Sequence, residues 1–541
     1  MKDFADIVIV GSGASGAAAA WSLSQNTSLR IVCLEQGSSV SRSEYPTTSV
    51  DWELSRYTDF SPLPNIRKNS ADYPIDDSDS PISIAQFNGV GGSTVLYSAH
   101  FPRFHPSDFQ VKTLDGVADD WPLSYSELEP FFEENEKIMG VAGLIGDPAY
   151  PSYKSLLPPV PLGKMGKIVA KAFNELGWHW WPSYSAINTK KYNAFDDPVR
   201  APCINLGPCN VGCPQSAKGS VDVTYLPLAK SNGVEIYTEC RVHEVTLNSN
   251  GLADGVFYTD SDGEKHQFKA NIVILACSGI GTPRLLLNSK SSFFPDGLLN
   301  ENSLVGKYLT LHPLAYIEGV FEGDLQSSLG PHGCCLYSHE FYETKSERDF
   351  VRGYTMHILR GATPVESAIS GHFMRKLTLG KDHHAQFEKY FNHTAGIAII
   401  AEDLPDINNR VELDYNNKDI HGMPGVKIHY KISQNTEKIL KHGIKMSKKL
   451  FSTAGADIVS SFAPIKNTGW HTAGTVRMGD DPNTSVVNKY GQAHQVKNLF
   501  IVDSSVFVTA GAVNPVATAQ AVTLFSCNYI INNIDNIVTR S

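Results

Sequence analysis

The sequence predicts an α/β fold built on a doubly wound parallel sheet, and three stretches carry that prediction. Ala5 to Val10 is an apolar run that passes through Gly11-Ser12-Gly13-Ala14-Ser15-Gly16 into the alanine-rich Ala17 to Leu23, then into a second run, Leu29 to Leu34, that ends on Glu35. Asn271 to Ala276 repeats the strand pattern, followed by a glycine turn from Cys277 to Pro283 and the helical Arg284 to Leu287. Asn498 to Asp503 is a third such run and again ends on an acid. Short, nearly continuous apolar runs suit strands buried on both faces. Ligands of such sheets sit at the strands' carboxyl ends.

With 541 residues the chain exceeds what one hydrophobic core organises, so two lobes are expected. Apolar residues make up 42% and charged residues 19%, as in ordinary globular proteins. The net charge is −10 and no Lys or Arg run is present, which argues against a nucleic-acid partner. No window approaches the roughly 18 apolar residues of a membrane span. No basic leader precedes the first strand, so the expected location is the cytoplasm, or the periplasm if a partner subunit carries the chain across. Nine cysteines, an odd and sparse set, do not make a disulfide scaffold.

The order strand, G-x-G-x-x-G, helix, strand, acid is that of a dinucleotide site. Gly11 permits the tight turn, Gly13 lets a pyrophosphate approach the backbone, and Gly16 lets helix and strand pack closely. Ala14 and Ser15 complete the loop at the cofactor, and the helix that follows turns its free N–H groups and positive dipole end to the phosphates. Glu35 stands 19 residues after Gly16, placed to accept hydrogen bonds from the adenosine ribose. This motif by itself fits NAD or FAD. Three later segments favour FAD: the glycine-dense Asn88 to Thr94, with Gly91, Gly92 and Ser93, can press its backbone against a flat ring or a pyrophosphate. Cys277 to Pro283 places another glycine turn at a strand end. Asp503 ends a strand far down the chain, suited to the ribityl or phosphate region. A site spread over the whole length fits a long cofactor threaded through a discontinuous domain.

Near the C-terminus Asn514-Pro515 opens a helical stretch carrying Ala517, Ala519, Ala521 and Leu524. Proline suits the first helical turn because it lacks an N–H that would be orphaned there. The dipole of that helix would point at a ligand beside Asn514.

Together these segments resemble the glucose–methanol–choline oxidoreductase family over essentially the whole chain, in its bacterial sugar- and alcohol-oxidising branch, to which Asp115 to Pro122 and the segment after Cys203 are most similar. The segment from Ser278 to Pro283 matches the family's second signature loosely, and it is followed by Asn288-Ser289-Lys290. The resemblance implies an FAD-binding, doubly wound domain with a parallel sheet, assembled from residues 1–110, 203–310 and 466–541. It also implies a substrate domain with an antiparallel sheet and helices from 111–202 and 311–465, where Ala395 to Ala401 and Arg410 to Asp414 read as strands. It implies that His471, in Trp470-His471-Thr472, and Asn514 are the catalytic pair. His471 would take the hydroxyl proton, a task suited to an imidazole, Asn514 would fix the same oxygen, and the carbinol hydride would pass to flavin N5. Pro515 would lie at the flavin with Asn514, and the Val242 backbone would meet the adenine. Members that attach FAD covalently use a histidine where this chain has Leu96, so noncovalent FAD is expected. His100, His357, His372, His383 and His384 read as structural or solvated.

Cys203, Cys209 and Cys213 have the spacing C-x5-C-x3-C-P. Thiolates so spaced can hold an iron–sulfur cluster. Some family members hold a 3Fe-4S cluster in a similar segment and pass electrons to a cytochrome subunit, while others keep such cysteines without one; both readings stay open. A fourth ligand for zinc is not evident, so no other metal is expected. Lys218, Ser220 and a strand-like Val221 to Tyr225 follow the loop. The expected activity is FAD-dependent oxidation of an alcohol group of a sugar, glycoside or polyol, with a non-oxygen acceptor such as a small subunit or cytochrome. The alternatives are an oxygen-dependent oxidase producing hydrogen peroxide, an FAD-containing hydroxynitrile lyase, and a noncatalytic flavoprotein subunit.

Overall fold

The computed structural model of the protein describes residues 3–538 except 27, 47–48, 51, 152, 155, 193, 195–198, 208, 332 and 374. The first sheet has the strand order Glu235–Tyr237, Ile31–Leu34, Phe4–Val10, Lys265–Leu275, Ala253–Thr259, Arg241–Leu247, with Leu499–Ile501 also on Lys265–Leu275. Its pairs from Glu235–Tyr237 to Leu499–Ile501 are parallel. The 11-residue strand Lys265–Leu275 does two jobs. Lys265 to Lys269 pairs antiparallel with Ala253–Thr259, and Val273 to Leu275 runs parallel beside both Phe4–Val10 and Leu499–Ile501. Its composition changes to match: Phe268, Ala270 and Ile272 are buried alternately, and then Val273, Ile274 and Leu275 are buried without a break. One solvated face requires alternation, whereas two covered faces require a continuous apolar run.

The helices Ala14–Asn26 and Val516–Ile537 pack together on this sheet, and the Gln520 side-chain amide donates to the Ala14 carbonyl at 3.1 Å. Cys277 to Pro283 differs from its sequence reading. Ser278 to Asn288 is one helix, so the glycines lie in its first turns rather than in a turn before it. Gly279 is needed there because a Cβ would sit 2.7 Å from the Thr472 backbone. Val221 to Tyr225 is also corrected. It is a turn entering the helix Tyr225–Ser231, with the Val221 N–H given to Thr94 Oγ1 instead of a neighbouring strand.

The second sheet is antiparallel, in the order Ala456–Phe462, Leu314–Phe321, Thr394–Ala401, Tyr354–Leu359, Leu336–Ser338, Trp181–Pro182. One face packs on the helices Gly163–Leu176 and Gln434–Thr453 through Met165, Val169, Phe173, Ile439 and Leu450. Ser433 caps the second of these by accepting the Thr436 N–H. The other face turns toward the functional site. A third sheet joins Arg410–Lys418, Pro424–His429 and Ile75–Asp79. Among the described residues no helix is long and apolar enough to cross a membrane.

Candidate active site

The strand Phe4–Val10 delivers the chain to Gly11, whose φ of +96° favours glycine. A Cβ on Gly11 would lie 2.6 Å from the Ala276 oxygen, and one on Gly16 would lie 1.8 Å from the Gly11 oxygen. The chain's own packing demands both glycines. Gly13 is different, because its Cβ would meet only the Gly92 Cα, at an ordinary 3.8 Å. No protein contact requires glycine at 13, so the space before the helix N-terminus is left for something else. A glycine that packing does not demand, at a helix N-terminus with free N–H groups, suits a pyrophosphate lying close to the backbone.

The second glycine loop closes on the first. The Gly91 N–H donates to the Ser12 carbonyl at 3.2 Å, and a Cβ on Gly92 would lie 2.7 Å from the Gly13 Cα. Ser93 Oγ accepts the Phe87 N–H. Leu96 ends the turn Gly92–Val95 and packs with Tyr45 and Val95. Glu35 accepts the Ser12 N–H and hydroxyl, each at 2.8 Å, and the Gly37 N–H at 3.0 Å. Burial raises its pKa against those bonds. The Glu35 carbonyl takes the Cys240 N–H, which brings Val242 in the next strand beside the same strand end. Asp503 is placed differently from a free ligand-binding acid. Its carboxylate accepts Ser278 N–H at 3.0 Å, Thr282 Oγ1–H at 2.5 Å and Ser505 N–H at 2.8 Å, pinning the last strand to the helix Ser278–Asn288. Asn514-Pro515 leads directly into the helix Val516–Ile537, with Pro515 at its N-cap.

His471 and Asn514 meet. His471 Nε2 lies 3.3 Å from Asn514 Nδ2. Sequence reading missed a third member, His312, whose Nδ1 lies 3.0 Å from His471 Nδ1. His312 Nε2 lies 2.7 Å from the Gly511 carbonyl and 3.1 Å from that of Ala510. A carbonyl can only accept, so His312 Nε2 carries hydrogen and, in the neutral ring, Nδ1 is its acceptor. His471 Nδ1 must then be the donor. That puts the lone pair on His471 Nε2, as a base requires, and there it accepts the Asn514 Nδ2–H. The Asn514 Oδ1 is buried without a partner, an acceptor awaiting a donor. His312 offers little signal in sequence. It stands 159 residues from His471 and has an unusual φ of +51°. Asp403, which accepts the Leu311 N–H at 2.9 Å and the Tyr430 hydroxyl at 2.7 Å, holds that turn.

Burial pushes His471 well below the usual imidazole range, with the neighbouring His312 and His100 adding to it, and burial pushes His312 down to about 4. Both rings are therefore neutral near pH 7. Burial also drives His105, His339 and His357 well down. In the unfolded chain each would bind a proton near pH 6.5, so below that pH the unfolded state holds more protons and stability falls. Each such ring contributes up to about 1.4 kcal/mol per pH unit. The melting temperature is expected to drop steeply from pH 6.5 to 4.5. A flat calorimetric profile there would show that these rings are not buried neutral.

His372, His383 and His384 are on or near the surface, whereas His100 and His357 are buried with ring centroids 4.4 Å apart. Cys203, Cys209 and Cys213 are free thiols, and among the described residues no three His, Cys, Asp or Glu side chains gather to hold a metal ion. The buried Lys218 ties the cysteine loop to the second glycine loop by donating to the carbonyls of Cys209 and Val95, each at 2.6 Å, and of Tyr97 at 3.1 Å.

Residues 163–314 and 405–523 match the two regions described as GMC oxidoreductase, and residues 9–70 match an NAD(P)-binding Rossmann-like domain. The chain is 37% identical to the 2-methyl-1,2-propanediol dehydrogenase of Mycolicibacterium austroafricanum, over 99% of this chain and 97% of that one. It is 27% identical to the fructose dehydrogenase large subunit of Gluconobacter japonicus, over 98% of each. The crystal structure of pyridoxine 4-oxidase from Mesorbium loti superposes with a TM-score of 0.66 at 16% identity, covering 97% of this chain and 98% of that one.

Proposed function

The chain belongs to the GMC oxidoreductase family, and from that premise we propose that it oxidises an alcohol group of a sugar, glycoside or polyol to a carbonyl, with noncovalent FAD. The observation that carries the reading is the tautomer chain ending on the His471 Nε2 lone pair beside Asn514. His471 accepts the hydroxyl proton as the carbinol hydride leaves. His312, fixed by two carbonyls, keeps the His471 ring oriented and shares the charge that the proton brings. Asn514 holds the substrate oxygen next to Nε2. Bound FAD supplies the acceptor for the hydride. The helix Val516–Ile537 starts beside Asn514, so its positive end would favour negative charge on a cofactor held there.

A glycine at 13 that packing does not demand, the Glu35 carboxylate and the converging glycine loops support a dinucleotide cofactor with the FAD role. Leu96, packed in an apolar cluster, offers no nucleophile for a covalent link. The names of the two relatives, a diol dehydrogenase and a fructose dehydrogenase large subunit, support an alcohol donor and an acceptor other than oxygen, and the second supports a partner subunit. An anaerobic screen of alcohols and sugars tests the reading. Bleaching of the flavin's visible band is expected, with reoxidation by a one-electron dye faster than by air. Faster reoxidation by air would make it an oxidase. Cyanohydrin cleavage without bleaching would make it a lyase, and silence toward both would leave a noncatalytic subunit.

A further inference from the structure

Histidines crowd one face of the antiparallel sheet, and although His339 Nδ1 bonds the Thr355 hydroxyl at 3.2 Å, their Nε2 atoms are left over. Alternation along Tyr354–Leu359 sends Tyr354, Met356 and Ile358 into the helix-covered core and His357 to the opposite face. His339, just after the strand Leu336–Ser338, lies 4.8 Å from the Tyr337 ring, which is 5.6 Å from His357. His105 lies 4.7 Å from His339. The row runs close to the reacting pair at both ends. At one end His105 stacks on Tyr342 at 3.9 Å, and the Tyr342 oxygen accepts the N–H of Ala512, two residues before Asn514. At the other end His357 lies against His100, and both rings feel charge placed on His471.

The Nε2 atoms of His105, His339 and His357 are buried and have no hydrogen-bond partner, in residues 3%, 7% and 2% exposed. Each unpaired buried polar atom costs about 1–3 kcal/mol, and native interiors seldom tolerate several together. The row calls for an occupant that hydrogen-bonds. An anion is a poor match, because the rings are neutral. The Arg352 guanidinium, whose charge reaches His105, is already committed to Asp108, Asp115, Glu343 and Glu402. A hydroxyl both donates and accepts, so it satisfies an imidazole nitrogen in either tautomer.

We infer that His357 and His339 bind substrate hydroxyls other than the one oxidised, so that the preferred substrate is a neutral diol or polyol. This rests on the alcohol oxidation proposed above. The test is anaerobic flavin reduction with paired substrates of equal carbon count, a vicinal diol against its monohydric analogue. A site built to hold a hydroxyl discriminates strongly against an analogue lacking it. In the wild type the diol is expected to react at least ~100-fold faster in kcat/KM. In His357→Leu and His339→Leu the ratio should collapse to below ~10, and His357→Gln, which keeps a hydrogen-bonding head, should recover part of it. A wild-type ratio near one overturns the inference with no variant needed, as does a ratio that survives both leucine substitutions. A protein that no alcohol reduces at all defeats the alcohol-oxidation reading instead.

Discussion

His471→Ala is expected to keep its flavin and lose roughly 10²–10⁴-fold in the rate of flavin reduction by alcohol. The variant removes the lone pair on which the hydrogen-bond chain ends, which accepts the Asn514 Nδ2–H in this structure. Gly511 and Ala510 accept from His312 Nε2, His312 Nδ1 accepts from His471 Nδ1, and the chain ends on His471 Nε2. Asn514 cannot substitute, since an amide has no basic nitrogen. Flavin absorbance measures retention, and stopped-flow reduction under nitrogen measures the rate. A rate within a few-fold of wild type would move the base elsewhere. His312→Ala should act differently, because it frees the His471 tautomer without removing the base. A loss of about tenfold is expected, together with a shifted pH profile. In wild type the His471 pKa is depressed, so the rate should be level above pH 6.5 and fall only in acid, as the base becomes protonated.

Why His471 and Asn514 were legible in sequence while His312 was not follows from how each is placed. Asn514 precedes a proline that opens a helix, and helix starts have a local chemistry that sequence displays. His471 sits beside glycine-bearing turns that tie to the cofactor lobe. His312 is defined by what it touches, two carbonyls and one imidazole far along the chain, and no local rule encodes such contacts. The same division runs through the fold. Ile272 to Leu275 reads as a strand because both faces are covered. Lys265 to Lys269 was not read at all, since one face is solvated and its alternation is interrupted by polar residues. Val221 to Tyr225 read as a strand because β-branched residues favour one. A single distant hydroxyl, Thr94 Oγ1, takes the Val221 N–H and the segment turns instead. Asp503 was expected to serve the cofactor directly, and its position at a strand end fits that role equally well. Its three hydrogen bonds to Ser278, Thr282 and Ser505 place it as the clamp behind the site.

The second large effect separates two glycines that a motif treats alike. Gly13→Val should abolish FAD retention while leaving the fold intact, and Gly16→Ala should damage the fold itself. At 16 a single methyl would sit 1.8 Å from the Gly11 oxygen, so the helix Ala14–Asn26 must lift from the strand before it. That places the cost at or beyond the upper end of the ~1–3 kcal/mol typical of overpacking. At 13 the first side-chain carbon meets nothing closer than 3.8 Å, and the backbone is not in the left-handed region. The protein has room for the first carbon of a side chain there, whereas a pyrophosphate lying against the helix N-terminus leaves none. The comparison has to be made with stripped protein, because a bound cofactor stabilises the wild type by mass action. Gly13→Val should purify colourless and melt with the stripped wild type, whereas Gly16→Ala should melt well below it. A yellow Gly13→Val protein would place the phosphates elsewhere. A Gly13→Val protein that fails to fold would show that glycine at 13 serves packing, and the strongest support from the chain itself for a cofactor at this helix would be gone.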